Sequence, residues 1–255
     1  MPLPIRAIHQ QFDPRRLSDL VLWYNAGDTS RNWTTTAATT AVASNTDPVG
    51  RVDSAASTNY LEQGTAAARP QWLTAQRRGM PAWSFDGSDD RLQTVSDVPA
   101  AVTGNPSFTL AMWLYVPSSA TSTRGVMGWG DFNSALNAVG FYFGNRGTNL
   151  VAVEFAGNNG VYGSTAIARD TWTHVAVTKR PGAINTTTTI YIDANAETNN
   201  AGSSTGTPAI ASASKFSVGQ WANDNNNRLQ CFMDQVVLYS RELSAAEVRY
   251  LAQGT

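Results

Sequence analysis

The chain has 255 residues, of which 42% are hydrophobic and only 15% are charged, and its formal net charge is −1. A chain of this length can bury a sizeable core, and a β-sandwich of this size is commonly one domain. The 18 basic residues are scattered, which excludes a basic nucleic-acid-binding surface, so we expect no nucleic-acid partner. No apolar run approaches the roughly 18 residues that span a bilayer, so we expect no membrane insertion.

The first 17 residues differ from the rest of the chain. They contain early prolines and the run Asp13-Pro14-Arg15-Arg16, which is a poor start for a strand because proline cannot donate to a sheet. We therefore predict an extended N-terminal arm over residues 1–17, with a loosely packed terminus as the alternative, and a single domain over residues 18–255. The N-terminus lacks the apolar segment of a secretory signal, so we expect another route out of the cell, such as release within a virus particle.

Short stretches of alternating apolar residues follow one another through the domain and predict an antiparallel β-sandwich. In residues 108–116 one side of the strand carries apolar side chains, whereas the aromatic Trp113 and Tyr115 face the opposite side. The apolar side consists of Phe108, Leu110, Met112, Leu114 and Val116. This pattern predicts a strand in the middle of a sheet, whose second face is partly covered. Residues 25–70 are rich in Thr, Ala, Ser and Asn, and we expect long loops there with at most a short hairpin. The other predicted strands include residues 20–24, 126–129, 139–143, 150–155 and 231–239.

The chain end carries the clearest helix signal. Ser244-Ala-Ala-Glu247 is a capping box, which predicts a short helix that ends near residue 253. Cys231 is the sole cysteine, which excludes an internal disulfide, and its place in an alternating strand predicts a buried apolar side chain.

Five segments in this order resemble the laminin-G-like (concanavalin A-like) jelly-roll family. The resemblance implies an all-β, antiparallel jelly-roll β-sandwich with one short C-terminal helix. Members of this family serve more often in binding and adhesion than in catalysis, and fold alone does not fix the ligand. The segments are Leu20-Val-Leu-Trp-Tyr-Asn-Ala-Gly-Asp28, Phe85-Asp-Gly-Ser-Asp-Asp-Arg-Leu92, Phe108-Thr-Leu-Ala-Met-Trp-Leu114, Trp172-Thr-His-Val-Ala-Val177 and Met233-Asp-Gln-Val-Val-Leu-Tyr239.

The resemblance also raises the question of a structural calcium ion. Some relatives hold calcium at the rim of the sandwich with aspartates and backbone carbonyls, which are the ligands that this ion prefers. The candidates here are Asp86, Asp89, Asp90 and Asp234, but the sequence has no regular calcium-binding loop. Stabilisation of turns by these aspartates is the interpretation that we favour, and a calcium site is the alternative.

The sequence argues against an active site. Retaining glycosidases need two carboxylates about 5 Å apart. Glu154 alone of the five glutamates falls in a predicted strand, and no carboxylate lies two residues from it. We interpret His174, beside Trp172, as a structural, hydrogen-bonded histidine rather than a base. The prediction is therefore a protein without enzymatic activity.

Three loops, over residues 129–134, 143–149 and 220–228, combine aromatic, amide and carboxylate side chains, which is the mixture that recognises sugars. The apolar face of a sugar packs on an aromatic ring, and its hydroxyls pair with amides and carboxylates. The alternative is that Asn, Asp and Gly simply form these turns, while Trp129 and Trp221 cap the core. The candidate ligand-binding residues are Trp129, Asp131, Phe132, Asn133, Asn145, Arg146, Trp221, Asn223, Asp224 and Asn225.

These observations predict a non-catalytic jelly-roll module at a virion surface or outside the cell. We expect it to decorate a phage or virus head or to belong to a host-contacting fibre, with adhesion to cell-surface glycans. Its expected partners are other virion subunits or further copies of itself. A secreted lectin-like module is the main alternative, and a glycoside hydrolase or lyase is a third.

Overall fold

The computed structural model describes residues 13–121, 124–145, 147–198, 200, 204–224 and 227–254. Within these residues two nine-stranded sheets pack face to face, and neighbouring strands pair antiparallel, which confirms the predicted jelly-roll sandwich. The strands are β1 (Leu20–Tyr24), β2 (Asn32–Trp33), β3 (Asp47–Pro48), β4 (Arg51–Asp53), β5 (Tyr60–Glu62), β6 (Gln71–Arg77), β7 (Met80–Asp86), β8 (Leu92–Thr94), β9 (Phe108–Tyr115), β10 (Arg124–Gly130), β11 (Ala138–Phe143), β12 (Leu150–Glu154), β13 (Gly160–Ala166), β14 (Trp172–Lys179), β15 (Thr188–Ile192), β16 (Asn195–Ala196), β17 (Ser217–Val218) and β18 (Gln230–Tyr239).

The first sheet has the order β16-β15-β14-β9-β18-β7-β6-β3, and β1 also pairs with β18. The second sheet has the order β13-β12-β11-β10-β17-β8-β5-β4-β2. Alternate side chains of both sheets meet in one apolar core, as period-two strands require. In β9, for example, Leu110, Met112 and Leu114 point into this core, whereas Ala111 belongs to a second cluster on the outer face.

The predicted strands are present with small shifts of their ends, and β1 has the predicted bounds. Residues 25–70 differ from the prediction of long loops, because they form the four short strands β2 to β5. Of these, β4 and β5 make the expected hairpin. Glu62 thus ends a strand, although the sequence placed it in a loop. Strands of two or three residues carry too little alternation to stand out in a sequence.

The N-terminal arm is corrected where the structure describes it. Residues 1–12 lie outside the described residues. Pro14–Arg16 forms a 3₁₀ helix rather than an extended segment, with Asp13 as its N-cap and Pro14 buried. The Tyr239 hydroxyl donates to the Pro14 carbonyl at 2.9 Å, and the Asp13 amide donates to the Tyr250 hydroxyl at 3.0 Å. The end of the predicted arm therefore packs against the domain.

Two α-helices are present in the described chain, α1 (Ile184–Thr187) and α2 (Ala245–Ala252). The capping box is confirmed: the Ser244 hydroxyl accepts from the Glu247 amide at 3.3 Å, and the Glu247 carboxylate accepts from the Ser244 amide at 2.8 Å. Val248 and Leu251 of α2 pack on the outer face of the first sheet. Neither helix is long and apolar enough to cross a membrane.

Two further expectations are confirmed. Cys231 is fully buried, and burial raises the pKa of its thiol. His174 is 2% exposed and packs edge-on against Trp113, with ring centroids 5.4 Å apart. Burial, with a smaller effect of the Arg77 charge, lowers the pKa of His174 to about 3. A neutral imidazole enclosed in this way fits a structural role, whereas the hydrogen bond expected of the ring is not seen at Nδ1, which has no partner among the described residues.

A buried ion pair joins the first sheet to the chain end. Arg77 donates from Nε and Nη2 to Oδ2 of Asp234, at 3.2 and 2.8 Å, and both side chains are 1% exposed. Asp234 lies at a bulge in β18, where pairing with β7 ends and pairing with β1 begins. Its Oδ1 accepts from the amides of Ala26 and Gln235, and Arg77 Nη1 donates to the Gly254 carbonyl at 2.6 Å. Every charged group of the pair thus has a partner.

We expect Arg77→Met to lower the free energy of unfolding by about 3–5 kcal/mol, because it leaves the Asp234 carboxylate buried without a counter-charge. The double variant Arg77→Met/Asp234→Leu removes both charges and should recover much of that loss. Urea unfolding of the three proteins measures both effects. A single variant within about 1 kcal/mol of the parent protein would show that the pair does not hold the fold.

Candidate functional site

Two of the three predicted loops meet through direct hydrogen bonds. They are the turn between β10 and β11 and the loop between β17 and β18. Asn223 accepts from the Phe132 amide at 2.7 Å, and its Nδ2 donates to Asp131 Oδ1 at 3.1 Å. Asp131 also accepts from the amide and side chain of Asn133, at 3.1 and 3.0 Å. One side chain, Asn223, therefore fixes the position of the neighbouring loop.

An aromatic stack stands on the outer face of the second sheet beside this contact. The Trp221 ring meets Phe132 edge-on with centroids 5.4 Å apart, and it meets Tyr142 of β11 in the same way at 5.9 Å. Trp221 is 2% exposed, whereas Phe132 is 39% exposed. Among the described residues Phe132 is the only large hydrophobic side chain with such exposure. The stack therefore presents one ring to solvent and buries the rings behind it.

Glycines in the sheet make room for Trp221. A Cβ added at Gly140 of β11 would lie 2.7 Å from the Trp221 ring, and one at Gly128 of β10 would lie 3.1 Å from it. A Cβ at Gly125 would collide with the Trp221 side chain and with its backbone nitrogen. Real Cβ atoms do not approach so closely, so glycine at these positions allows both the close pairing of β10 with β11 and the place of the bulky indole on the sheet.

The loop that carries Trp221 is tied at its base. Gln220 accepts from Nε and Nη2 of Arg228, at 3.3 and 2.9 Å, and donates to the Ala222 carbonyl at 3.0 Å. Arg228 also donates to the Ser88 carbonyl at 2.9 Å. These bonds fix the two ends of the loop, and the exposed Phe132 is held by a preformed support.

Electrostatics at the site favour a charged Asp131 and a neutral Tyr142. Hydrogen bonds from Asn223, and then from Asn133, lower the pKa of Asp131. Burial, together with the negative charge of Asp224, raises the pKa of Tyr142 to about 12. At neutral pH the site therefore offers one carboxylate acceptor, amide groups and a phenol.

A groove of about 500 Å³ runs beside the two loops. Among its described lining residues Asp131 is the only carboxylate and Lys215 the only cation, and Lys215 is already paired with Asp97 at 2.9 Å. Hydroxyl, amide and backbone groups make up most of the remaining wall. Such a surface suits a neutral ligand with many hydroxyls. The groove is lined by Gln93, Gly130, Asp131, Ala211, Ser212, Ala213, Ser214, Lys215 and Asn223.

The structure corrects the assignment of two tryptophans. Trp129 is fully buried, donates to the Val102 carbonyl at 2.9 Å and packs edge-on against Phe108 in the core. It cannot stack on a ligand, and the alternative that it caps the core is the one that holds. Trp221 lies on the outer face but is enclosed, so it supports Phe132 and offers little contact surface of its own.

The remaining candidates are distributed around the two loops. Hydrogen bonds bring together Asp131, Phe132, Asn133 and Asn223. Asn145 instead donates to Glu154 Oε1 at 2.8 Å and has no bond to the described residues of the two loops. Asp224 is buried and accepts from Asn227 at 2.9 Å. Arg146 and Asn225 lie outside the described residues.

A group of carboxylates lies in the turn after β7. Oxygen atoms of Asp86, Asp89 and Asp90 all lie within 4.8 Å of one another. Asp86 accepts from the Ser88 amide at 2.7 Å and Asp90 accepts from the Asp86 amide at 3.0 Å, which confirms their turn-stabilising role. Burial, with the nearby charges of Asp86 and Asp89, raises the pKa of Asp90 to about 7.

Asp234 does not belong to this carboxylate group. It lies four residues along β18 from Gln230, the strand partner of Asp86, and it is committed to Arg77. Its carboxylate accepts from the backbone amides of Ala26 and Gln235, in keeping with the favoured interpretation of these aspartates, and the alternative that Asp234 shares a cation site with the others does not hold.

Sequence reasoning missed the groove wall and the support of the stack. Gln93 and residues 211–215 carry no motif, because small polar residues are common in loops. The sequence did hold a signal for Trp221: Gly128 and Gly140 lie inside predicted strands, and a glycine inside a strand often marks the close approach of another group.

We expect Gly140→Ala to destabilise the protein by about 1–3 kcal/mol and to displace Trp221, because the added methyl group overlaps the Met127 carbonyl oxygen and the Gly128 Cα of the partner strand as well as the indole. Gly64→Ala is the matched control, since no atom lies within 4 Å of its added Cβ. Urea unfolding and the ¹⁵N-indole signal of Trp221 report the two effects. Equal stability and an unmoved indole signal in both variants would contradict the glycine support.

Comparison with solved structures finds the same fold in proteins of low sequence identity. Domain 4 of AbnA, an extracellular GH43 arabinanase from Geobacillus stearothermophilus solved with arabinotriose, superposes with a TM-score of 0.58 at 15% identity. The match covers 92% of this chain and 98% of that domain. The binding domain of Paraclostridial Mosquitocidal Protein 1 gives a TM-score of 0.60 at 13% identity, over 92% of this chain and 52% of that one.

Trypanosoma rangeli sialidase matches with a TM-score of 0.59 at 14% identity, over 93% of this chain. This chain spans only 33% of the sialidase, so the likeness concerns a part of that protein. At such identities these structures show the fold alone. No curated protein sequence matches the chain.

A family model decides the classification. The model of the concanavalin A-like lectin/glucanases superfamily (Laminin_G_3) matches residues 86–249, which include β9 to β18 and most of the C-terminal helix α2. The chain belongs to the concanavalin A-like lectin/glucanase superfamily.

Proposed function

We propose that this protein is a non-catalytic carbohydrate-binding module and that Phe132, Asn223 and Asp131 form its ligand contact, hereafter the Phe132 site. The observation that carries the proposal is the exposed Phe132 ring, held by Trp221 beside a polar groove. An exposed aromatic ring can pack on the apolar face of a sugar, and a rigid ring loses little entropy on binding. The similarity to the arabinanase domain solved with arabinotriose supports the same ligand class.

The distribution of carboxylates supports a role without catalysis. Asp131 is the only carboxylate among the groove residues, whereas glycoside hydrolysis uses a pair. Glu154, the strand glutamate, is 4% exposed and bonded to Asn145. Both observations favour binding over bond cleavage.

The proposed setting is an extracellular surface, and the most specific form of the proposal is a virion surface protein. Low charge and an abundance of small polar residues support an extracellular setting in a general way. Assembly with virion subunits or with further copies of the chain stays a prediction from the sequence. A search for the protein by mass spectrometry in purified virus particles separates this setting from that of a secreted lectin.

We also propose that a calcium ion binds the Asp86, Asp89 and Asp90 carboxylates. Three oxygen ligands within 4.8 Å of one another fit a hard cation. The raised pKa of Asp90 supports the proposal. This buried carboxylate lies beside two others, and too little positive charge surrounds it to stabilise its ionised form. Arg228 supplies part of that charge, and the Cys231 thiol also faces Asp90. The ion would lock the turn that contacts the base of the Trp221 loop.

Phe132→Ala should weaken sugar binding at least about tenfold, with a loss of stability of about 1 kcal/mol or less, since the ring is 39% exposed and its only ring contact among the described residues is with Trp221. Phe132→Trp is the matched control, because it keeps an aromatic face and should retain binding. The measurement is a glycan array of arabinose, xylose, glucose and galactose oligosaccharides, followed by calorimetry on the best ligand. Equal affinity of the alanine variant and the parent protein would refute this site, and a blank array would refute the proposed function.

Without calcium, we expect stability to fall as the pH rises from about 4 to about 7, because the folded-state pKa of Asp90 lies above the ordinary value of 3.8. Below pH 4 the carboxyl is protonated in both states, and above pH 7 the fold must hold its charge. Millimolar calcium should restore stability at pH 8. Asp90→Asn should remove both the fall and the calcium response.

Thermal unfolding between pH 4 and 8, with calcium and with a chelator, measures this pair of effects. Asp97→Asn is the control, because Asp97 is outside the turn and pairs with Lys215. If the parent protein and Asp90→Asn show the same pH profile and the same response to calcium, the proposed cation site is wrong.

A further inference from the structure

A second surface, on the opposite side of the sandwich, combines aromatic rings with fixed charges. The helix α2 covers part of the outer face of the first sheet, where Leu251 packs with Ala111 and Ala176. Beyond the end of this helix, the same face carries larger rings. Register places Trp172, Tyr115 and Phe232 side by side on the three adjacent strands β14, β9 and β18. All three rings are partly exposed.

A pocket of about 360 Å³ opens where this aromatic row meets the end of α2. We call it the Trp172 pocket. Both apolar and charged groups form its surface, which is the composition of a site for a small ligand rather than of a packing defect. Its lining residues are Arg77, Arg78, Trp113, Trp172, Asp193 and Ala252.

The floor of the Trp172 pocket is rigid. The Arg77 guanidinium lies over the Trp113 ring, 4.6 Å from its centroid, and cannot move because Asp234 and the Gly254 carbonyl hold it. His174 supports the other side of Trp113. A preformed floor spares a ligand the entropy of ordering these side chains.

Two polar atoms lack protein partners in the described part of the chain, one in Trp113, which lines the pocket, and one in His174, which packs against Trp113 but does not line the pocket. Among the described residues, neither Nε1 of Trp113 nor Nδ1 of His174 has a hydrogen-bond partner. Trp113 is 7% and His174 2% exposed, so both nitrogens are buried at a cost of about 1–3 kcal/mol each. Buried polar groups of this kind mark places where a water or a ligand completes the structure.

The rim of the pocket carries two charges of opposite sign. Arg78 is exposed and offers guanidinium donors. Asp193 is also exposed, and its Oδ1 accepts from the His174 amide at 2.9 Å, which fixes the carboxylate in place. An anionic ligand would meet Asp193, and a cationic ligand would meet Arg77 and Arg78. Donors and acceptors together suit a neutral ring with several hydroxyls.

We propose that the Trp172 pocket is a second carbohydrate site, which takes one neutral sugar ring with its apolar face on Trp172 and its hydroxyls on Arg78 and Asp193. This inference takes its ligand class from the proposed function, but it uses different residues on the opposite face. With the Phe132 site it makes the chain bivalent, so that one module can engage two glycan strands and gain avidity on a polysaccharide surface.

The test is calorimetry of the full chain with neutral hexasaccharides of the arabinose, xylose, glucose and mannose series, supported by NMR of the ¹⁵N-indole signals. We expect two bound ligands per chain and separate shifts of the Trp172 and Trp221 signals. Trp172→Ala and Asp193→Asn should each lower the stoichiometry to one and leave the affinity of the remaining site unchanged. Phe232→Ala is the matched control, because it removes a ring of the same row that does not line the pocket.

The outcomes separate this inference from the proposed function. One ligand that is lost in Phe132→Ala and retained in Trp172→Ala overturns the second site and leaves the proposed function standing. One ligand that is lost only in Trp172→Ala supports the second site and overturns the Phe132 site. The second site is overturned if every variant still binds two ligands, or if no hexasaccharide binds. It is also overturned if the Trp172 signal shifts only with free amino acids, whose two opposite charges would pair with Arg78 and Asp193.

Discussion

The buried pair of Arg77 and Asp234 is the constraint on which the first sheet depends. A long strand that changes partners needs a bulge, and a bulge leaves backbone amides without their ladder bonds. The Asp234 carboxylate accepts two such amides, and Arg77 balances its charge while it also binds the carbonyl of Gly254. Burial raises the pKa of Asp234, and the Arg77 charge opposes that rise. The same guanidinium covers Trp113, so one interaction orders the strand, the chain end and the Trp172 pocket.

The second sheet positions its site differently, through glycines that leave space for an aromatic ring on its outer face. Three glycines flatten the outer face, the Trp221 indole occupies the space, and Phe132 rests on the indole. Because the loop is also joined to Asn223 by hydrogen bonds, the exposed ring has a defined place before any ligand arrives. Preorganised contacts of this kind reduce the cost of binding. The outer faces of both sheets thus carry aromatic side chains that lie outside the core between the sheets.

Alternation and capping chemistry made much of the fold predictable. The strand pattern and the box at Ser244 are local signals, so β1, the long strands and α2 follow from the sequence alone. The very short strands β2 and β3 are fixed by tertiary pairing and lie in a segment predicted as loops, whereas β4 and β5 form the short hairpin expected there. The candidate site was half predictable: Asp131, Phe132 and Asn223 were identified by type, but burial decides that Trp129 belongs to the core. Asp234 resembled a cation ligand until its partner Arg77, 157 positions away in the chain, was known.

The central claim is that the Phe132 site binds a carbohydrate in the shape that it already has. A crystal structure of the full chain with the hexasaccharide that binds most tightly tests this claim directly. The account predicts sugar density with a ring packed on Phe132 and hydroxyls bonded to Asn223 and Asp131, and with the loop backbone unmoved. Density only at other surfaces, or a loop that refolds around the ligand, would contradict it.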